Sequence, residues 1–102
     1  MLGYQAIDGV PITANKWLLN DVLKGEWRFD GVYMSDWGAT YDGLLAANAG
    51  LDLEMPNARV MNRATLEPAL RDGLFSRARL DDKVRRILGL AARFGWFEDA
   101  AP

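Results

Sequence analysis

The 102-residue sequence contains no cysteine and no histidine. Without cysteine there is no disulfide framework and no thiolate zinc or iron–sulfur site. Without histidine the commonest general base and metal ligand are missing, and with them every Ser-His or Cys-His catalytic pair. No apolar run approaches the ~18–20 residues that cross a bilayer, so no membrane partner is expected. Residues Met1 to Ile7 lack the basic and long apolar stretches of a secretory leader. The expectation is a cytoplasmic protein, although a piece of a secreted one would carry the same signature. An excess of one charge is also lacking. Fourteen acids against 12 bases leave a net charge of −2, which offers no electrostatic footprint for nucleic acid or an anionic surface. The glycines form neither a GxGxxG nor a P-loop pattern, so nucleotide binding has no specific support. Whatever chemistry the chain performs falls to carboxylates, Lys, Arg, Tyr or Ser.

What is present is the composition of a globular domain: 50% apolar, 11% aromatic and 25% charged residues, enough apolar content to escape disorder. The length fits one domain, residues 1–102. Met1-Leu2-Gly3-Tyr4 reads as a short strand and Asp8-Gly9-Val10-Pro11 as a turn. From Asn15, a helix with Trp17, Leu18, Leu19, Val22 and Leu23 on one face is predicted to end at a Gly25 cap. Gly31-Val32-Tyr33-Met34 has the unalternating apolar run of a strand buried on both faces. A helix capped by Thr40 then runs to Gly50. Leu51-Asp52-Leu53-Glu54-Met55 alternates as a further strand, stopped by Pro56. A helix follows near Thr65–Arg71, with Pro68 tolerable only in its first turn. The last helix repeats Leu80, Val84, Ile87, Leu88, Ala91 and Phe94, with Asp81 and Asp82 at its positive end and Gly95 after it. Pairs Asp81–Arg85 and Asp82–Arg86 are predicted on a solvated face, and Trp96-Phe97 as an apolar clasp. Strands alternating with helices imply an α/β fold with about three parallel β-α units plus a C-terminal helix.

In parallel α/β folds, functional groups gather at the carboxyl ends of strands. Three positions qualify: Tyr4-Gln5, Ser35-Asp36-Trp37 and Glu54-Met55. A carboxylate directly after a buried strand with an indole beside it suits a sugar: the carboxylate attacks or stabilises an anomeric carbon, and the ring faces pyranose C–H groups. The alternative is an Asp that caps the next helix or fixes the turn. Asp52 and Glu54 read equally as a hydrogen-bonded strand end, Asp42 as an acid favoured by its helix dipole, and Glu26 beside Trp27 as a surface residue.

Several stretches in register carry a resemblance. They are Asn15-Lys16-Trp17-Leu18-Leu19, Leu23 through Val32, Ser35-Asp36-Trp37-Gly38-Ala39, and Ala49-Gly50-Leu51-Asp52-Leu53-Glu54-Met55-Pro56. The chain resembles glycoside hydrolase family 3, the β-glucosidases, from the Tyr4 strand to the closing Arg93-Phe94-Gly95-Trp96-Phe97-Glu98-Asp99. The family's first domain is a (β/α)8 TIM-type barrel, so the resemblance implies a partial barrel made of its last strand–helix units. It implies Asp36 as the catalytic nucleophile of a retaining mechanism, Trp37 as a wall of the sugar site, and Tyr4 as the tyrosine close to the nucleophile. The substrate class it implies is a β-glucoside or oligosaccharide, and no metal or organic cofactor is needed. Tyr4-Gln5 and Asp8-Gly9 depart from the family's Tyr-Asn and Asn-Gly. Retaining hydrolysis needs two carboxyl groups about 5–5.5 Å apart. Glu54 is the only acid at a neighbouring strand end and stands as the possible second carboxylate, a role the resemblance does not give it. A partial barrel exposes strand edges that seek partners, and the expectation is a homo-oligomer. The competing expectation is a non-catalytic partial barrel that oligomerises and binds sugar weakly at most.

Overall fold

The computed structural model describes residues 1–98. In chain order it comprises strands β1 (Ala6–Ile7) and β2 (Val10–Pro11), a 3-10 turn over Ile12–Ala14, and helices α1 (Trp17–Glu26), α2 (Gly43–Ala49), α3 (Arg63–Arg71) and α4 (Arg77–Arg93). The predicted turn is the tip of an antiparallel hairpin pairing Ala6 with Pro11 and Ile7 with Val10. Asp8 and Gly9 both take positive φ (50° and 78°), the conformation that matches a two-residue turn to strand twist.

The three expected parallel strands are present only as single bridges. Leu2 pairs with Ser35 and Met34 with Leu53, both in parallel sense. Leu2 N–H donates to Met34 O at 2.7 Å and Asp36 N–H to Leu2 O at 2.6 Å. On the other side Ser35 N–H donates to Leu53 O at 3.0 Å and Leu53 N–H to Tyr33 O at 3.2 Å. The segments thus lie side by side in sequence order with Met34–Ser35 central. Each run is only a few residues long before Tyr4, Trp37 or Pro56 takes the chain elsewhere. That length allows one or two bonds per neighbour and no continuous ladder. The molecule is a small α/β fragment whose one ladder, among the described residues, is the β1–β2 hairpin. Among the described residues, parallel pairing of the kind a (β/α)8 barrel uses is limited to these two bridges.

Two apolar clusters hold the fragment together. Leu2, Ile12, Leu19, Tyr33, Ala46, Ala49 and Leu51 form the first. Ala47, Ala69 and Phe75 form the second, flanked by Leu44, Leu66, Leu70 and Leu80. Helix α2 supplies alanines to both, and Met61 touches both. Its small side chains let neighbouring backbone come close: a Cβ on Gly43 would collide with the Val60 carbonyl.

Several helix ends differ from expectation. Gly25 lies inside α1, which is wound in π register: Trp27 N–H reaches Val22 O, five residues back, at 2.8 Å. The left-handed residue ending it is Arg28, φ 52°. Thr40 is fully buried and does not cap α2; Asp42 does, accepting from Leu45 N–H at 2.9 Å. Gly50 follows as the C-cap. Helix α3 starts earlier than predicted, capped by Asn62, so Pro68 falls in its second turn. Helix α4 is capped by Ser76 and followed by Gly95, φ 71°. Its apolar stripe is only partly covered: Ala91 is buried, whereas Val84, Leu88 and Phe94 are exposed. Trp96 and Phe97 form no clasp; both are exposed, and Trp96 stacks on Phe94 at 5.9 Å. The last residue of the family-like closing motif, Asp99, lies outside the described residues.

Candidate functional site

The central parallel segment delivers Ser35 and Asp36 to its carboxyl end. Ser35 is completely buried, and its Oγ accepts from Met55 N–H at 3.0 Å. That bond joins the ends of the central and third segments and sets the platform from which Asp36 emerges half-buried. The Asp36 backbone is held on both sides, its N–H by Leu2 O and its carbonyl by Ala39 N–H at 3.1 Å. Oδ1 accepts from Trp37 N–H at 2.7 Å. The carboxylate therefore fixes the turn, as one sequence reading held, and this same bond fixes its own orientation. It caps no helix, because Asp42 occupies that post.

Tyr4, at the end of the first segment, reaches across to this turn. Its hydroxyl donates to Trp37 O at 2.6 Å. Although the residue is 56% exposed, desolvation of the hydroxyl, followed by the field and hydrogen bonding of Asp36, holds the phenol above its ordinary value. The neutral hydroxyl gives its one proton to the Trp37 carbonyl and adds no charge beside Asp36. Tyr41 adds to the same effect and is an aromatic neighbour that sequence reasoning did not select. Trp37 is 64% exposed, so its indole presents a free apolar face beside the carboxylate. Tyr4, Asp36 and Trp37 are thus brought together at one end of the parallel segments.

Glu54 is not brought to this group as a free acid. Its residue is 4% exposed, and its Oε1 accepts from Val60 N–H at 3.0 Å and Met61 N–H at 2.8 Å, with Oε2 3.3 Å from Val60 N. The third segment does not keep its apolar-in, polar-out alternation: Leu51 is buried, but so are Asp52 and Glu54, and Leu53 is 37% exposed. Glu54, the possible second carboxylate of the sequence reading, ties down the 57–62 loop through these bonds. The reading as a hydrogen-bonded strand end describes it.

Asp52 and the α4 charges form a network that sequence reasoning missed. Lys24 Nζ donates to Asp52 Oδ1 at 2.7 Å, Gly50 O at 2.8 Å and Asp82 Oδ2 at 3.2 Å. Asp52 Oδ2 accepts from Tyr33 N–H at 2.9 Å. Arg86, expected on a solvated face, is 14% exposed. It donates to Asp82 at 3.0 Å and to the carbonyls of Phe29 at 2.7 Å and Gly31 at 3.0 Å. Burial alone would raise the Asp82 pKa, but Lys24 and Arg86 outweigh it and hold the carboxyl below the usual range. Asp81 pairs with Arg77 at 3.4 Å, not with Arg85; the predicted Asp82–Arg86 pair forms. Lys24 and Asp52 share no local pattern with the i,i+4 pair Asp82–Arg86, so no sequence signal could have joined them to it. Among the described residues no three Asp or Glu side chains gather as a metal site.

The sequence profile described as "Glycosyl hydrolase family 3 N terminal domain" matches residues 1–90. An exo-α-(1→6)-L-arabinopyranosidase of Bifidobacterium longum is 46% identical over 90 residues, which cover 88% of this chain and 12% of that protein. A β-glucosidase of Rhizobium radiobacter is 42% identical over 100 residues, 98% of this chain and 12% of that protein. Among solved structures, the GH3 β-glucosidase of Bifidobacterium adolescentis superposes with a TM-score of 0.81 at 40% identity, over 88% of this chain and 13% of that one. The chain spans about an eighth of the length of these relatives, 12% of each curated one.

Proposed function

The chain belongs to glycosyl hydrolase family 3, and from that premise we propose that it carries the nucleophile side of a retaining glycosidase site for terminal β-D-glucosyl residues. Asp36 attacks the anomeric carbon, the glycosidic C–O bond breaks, and a glycosyl ester forms that water later hydrolyses. Tyr4 holds the Trp37 carbonyl of the same turn, and Trp37 stacks against the pyranose. The observation that carries this reading is the Asp36 turn itself: a half-buried carboxylate at the end of the central segment, oriented by Trp37 N–H, with Tyr4 and a free indole face beside it. The α-L-arabinopyranosidase relative makes a pentopyranoside the alternative sugar to compare. Glu54 is committed to the Val60 and Met61 amides, so the proton for the leaving group comes from a carboxyl other than Glu54.

The order of the parallel segments supports their descent from adjacent strands of a (β/α)8 barrel, and residues 1–102 act as one domain. A second reading is a non-catalytic partial barrel that self-associates. It is favoured by the single bridges: among the described residues, the outer edges of the Leu2 and Leu53 segments carry no parallel partner, and unpaired edges recruit strands.

Covalent trapping separates the two readings. A 2-deoxy-2-fluoro-β-glucoside with a dinitrophenolate leaving group needs no proton donor, so it tests the nucleophile alone. The expected result is a deoxyfluoroglucosyl adduct on the peptide containing Asp36, absent from Asp36→Asn. No adduct, or equal labelling of both proteins, refutes the nucleophile assignment and leaves the non-catalytic reading.

A further inference from the structure

Tyr4, Asp36 and Trp37 do not line the cavity of about 320 Å³ between α1 and α4, whose wall includes Asn20 and Lys24 from α1 and Arg79, Asp82, Lys83 and Arg86 from α4. Two of its cations are satisfied. Lys24 is shared among Asp52, Asp82 and Gly50 O, and Arg86 among Asp82 and two carbonyls. The other two are not. Lys83 is 5% exposed, yet among the described residues its ammonium makes no hydrogen bond or ion pair and has only the Phe75 ring, 5.9 Å from Nζ. The Arg79 guanidinium likewise has no acceptor among the described residues.

An ammonium carried by a side chain this buried, with no protein acceptor among the described residues, is an unfavourable arrangement. Burial, reinforced by the charge of Lys24, pushes the Lys83 pKa down to about 8; Asp52 and Asp82 pull the other way and Arg79 opposes them. A methionine would fill the same volume without that penalty. What distinguishes lysine here is the charge it brings to the cavity wall.

We propose that this cavity is a binding site for a small phosphate-class dianion, with the Lys83 ammonium holding it from the buried side and the Arg79 guanidinium from the rim. Lys83 and Arg79 leave two positive charges uncompensated, which sets the ligand's charge. A planar guanidinium fork matches two oxygens of a phosphate, and an ammonium meets a third as a point charge. A water's share of liquid volume is about 30 Å³, so the cavity has room for a phosphate together with waters or a short organic stem. Inorganic phosphate and a phosphomonoester present the same head group.

The test titrates inorganic phosphate, and separately glycerol phosphate, into the full chain. Calorimetry measures affinity, and amide chemical shifts map the site. The expected result is saturable binding that shifts amides of α1 and α4, about tenfold weaker in Lys83→Met and severalfold weaker in Arg79→Ala. Tighter binding of glycerol phosphate assigns the cavity to phosphomonoesters, and equal binding assigns it to the inorganic anion. Absence of saturation, or binding unchanged in both variants, overturns the proposal. Lys83→Met removes an unpaired buried charge and keeps the side-chain volume, so its loss of binding would not reflect unfolding; a thermal melt of each variant checks this.

Discussion

Replacing Glu54 separates a structural carboxylate from a catalytic one. The side chain accepts from two backbone amides, Val60 and Met61, through three contacts of 2.8, 3.0 and 3.3 Å. Hydrogen bonds to a charged acceptor contribute about 1.5–3 kcal/mol each, and a donor left unsatisfied by truncation keeps its desolvation cost. Val60 and Met61 are only half-buried, so water recovers part of the loss. Glu54→Ala is therefore expected to cost about 2–4 kcal/mol, a large share of the ~5–15 kcal/mol that holds a domain. The loop it releases packs on α2 where the Val60 carbonyl meets Gly43, so the damage spreads to the helix between the two apolar clusters. For a chain of this size, 1 kcal/mol moves the melting temperature by about 4–8 °C, which puts the expected drop at roughly 8 °C or more. Glu54→Gln behaves differently. Both amides converge on Oε1, an oxygen glutamine retains, so the charge assistance and the longer Oε2 contact to Val60 are lost and about 1 kcal/mol is expected. Circular dichroism melts and urea titrations at pH 7 measure both. If Glu54→Ala lies within about 0.5 kcal/mol of the parent, or Gln is as damaging as Ala, the reasoning is wrong. A Gln variant that keeps its stability and loses all glycoside turnover would return Glu54 to the catalytic role.

Lys83→Met is expected to stabilise the chain at pH 7, with the gain disappearing in alkali. The folded pKa of about 8 lies below the ordinary 10.5, so between these values the unfolded chain binds the extra proton and stability of the parent rises with pH. Below pH 8 the folded state carries the full penalty, at most about 3 kcal/mol. The difference between variant and parent, from urea titrations at pH 7 and pH 10.5, should shrink towards zero; a constant difference refutes the assignment. Light scattering at micromolar concentration should give a mass above that of one chain if strand edges pair, and a monomeric mass excludes the homo-oligomer.

Glycosidase ancestry was legible in the residues because Ser35-Asp36-Trp37 and the flanking stretches are local strings, and a turn depends chiefly on its own atoms. The helix periods were legible for the same reason: Leu80, Ile87 and Ala91 repeat along one chain segment wherever the rest of the molecule lies. Cap positions were less so, since Asp42 prevailed over Thr40 once burial withdrew the threonine. Strand extent was misread. An apolar run states that a segment is suited to a sheet, but the number of bonds it makes depends on the neighbours that tertiary structure places beside it, and here each segment meets its neighbours briefly. The fates of Glu54 and Lys83 belonged to tertiary structure alone. Whether a carboxylate is a free acid or an anchor depends on the Val60 and Met61 amides turning towards it. Whether a lysine is solvated or stranded depends on what the fold packs beside it, here the Phe75 ring and the Lys24 charge. Local strings specify which groups exist and how the backbone turns between them. Electrostatic surroundings come from residues distant in sequence, and only the fold decides those.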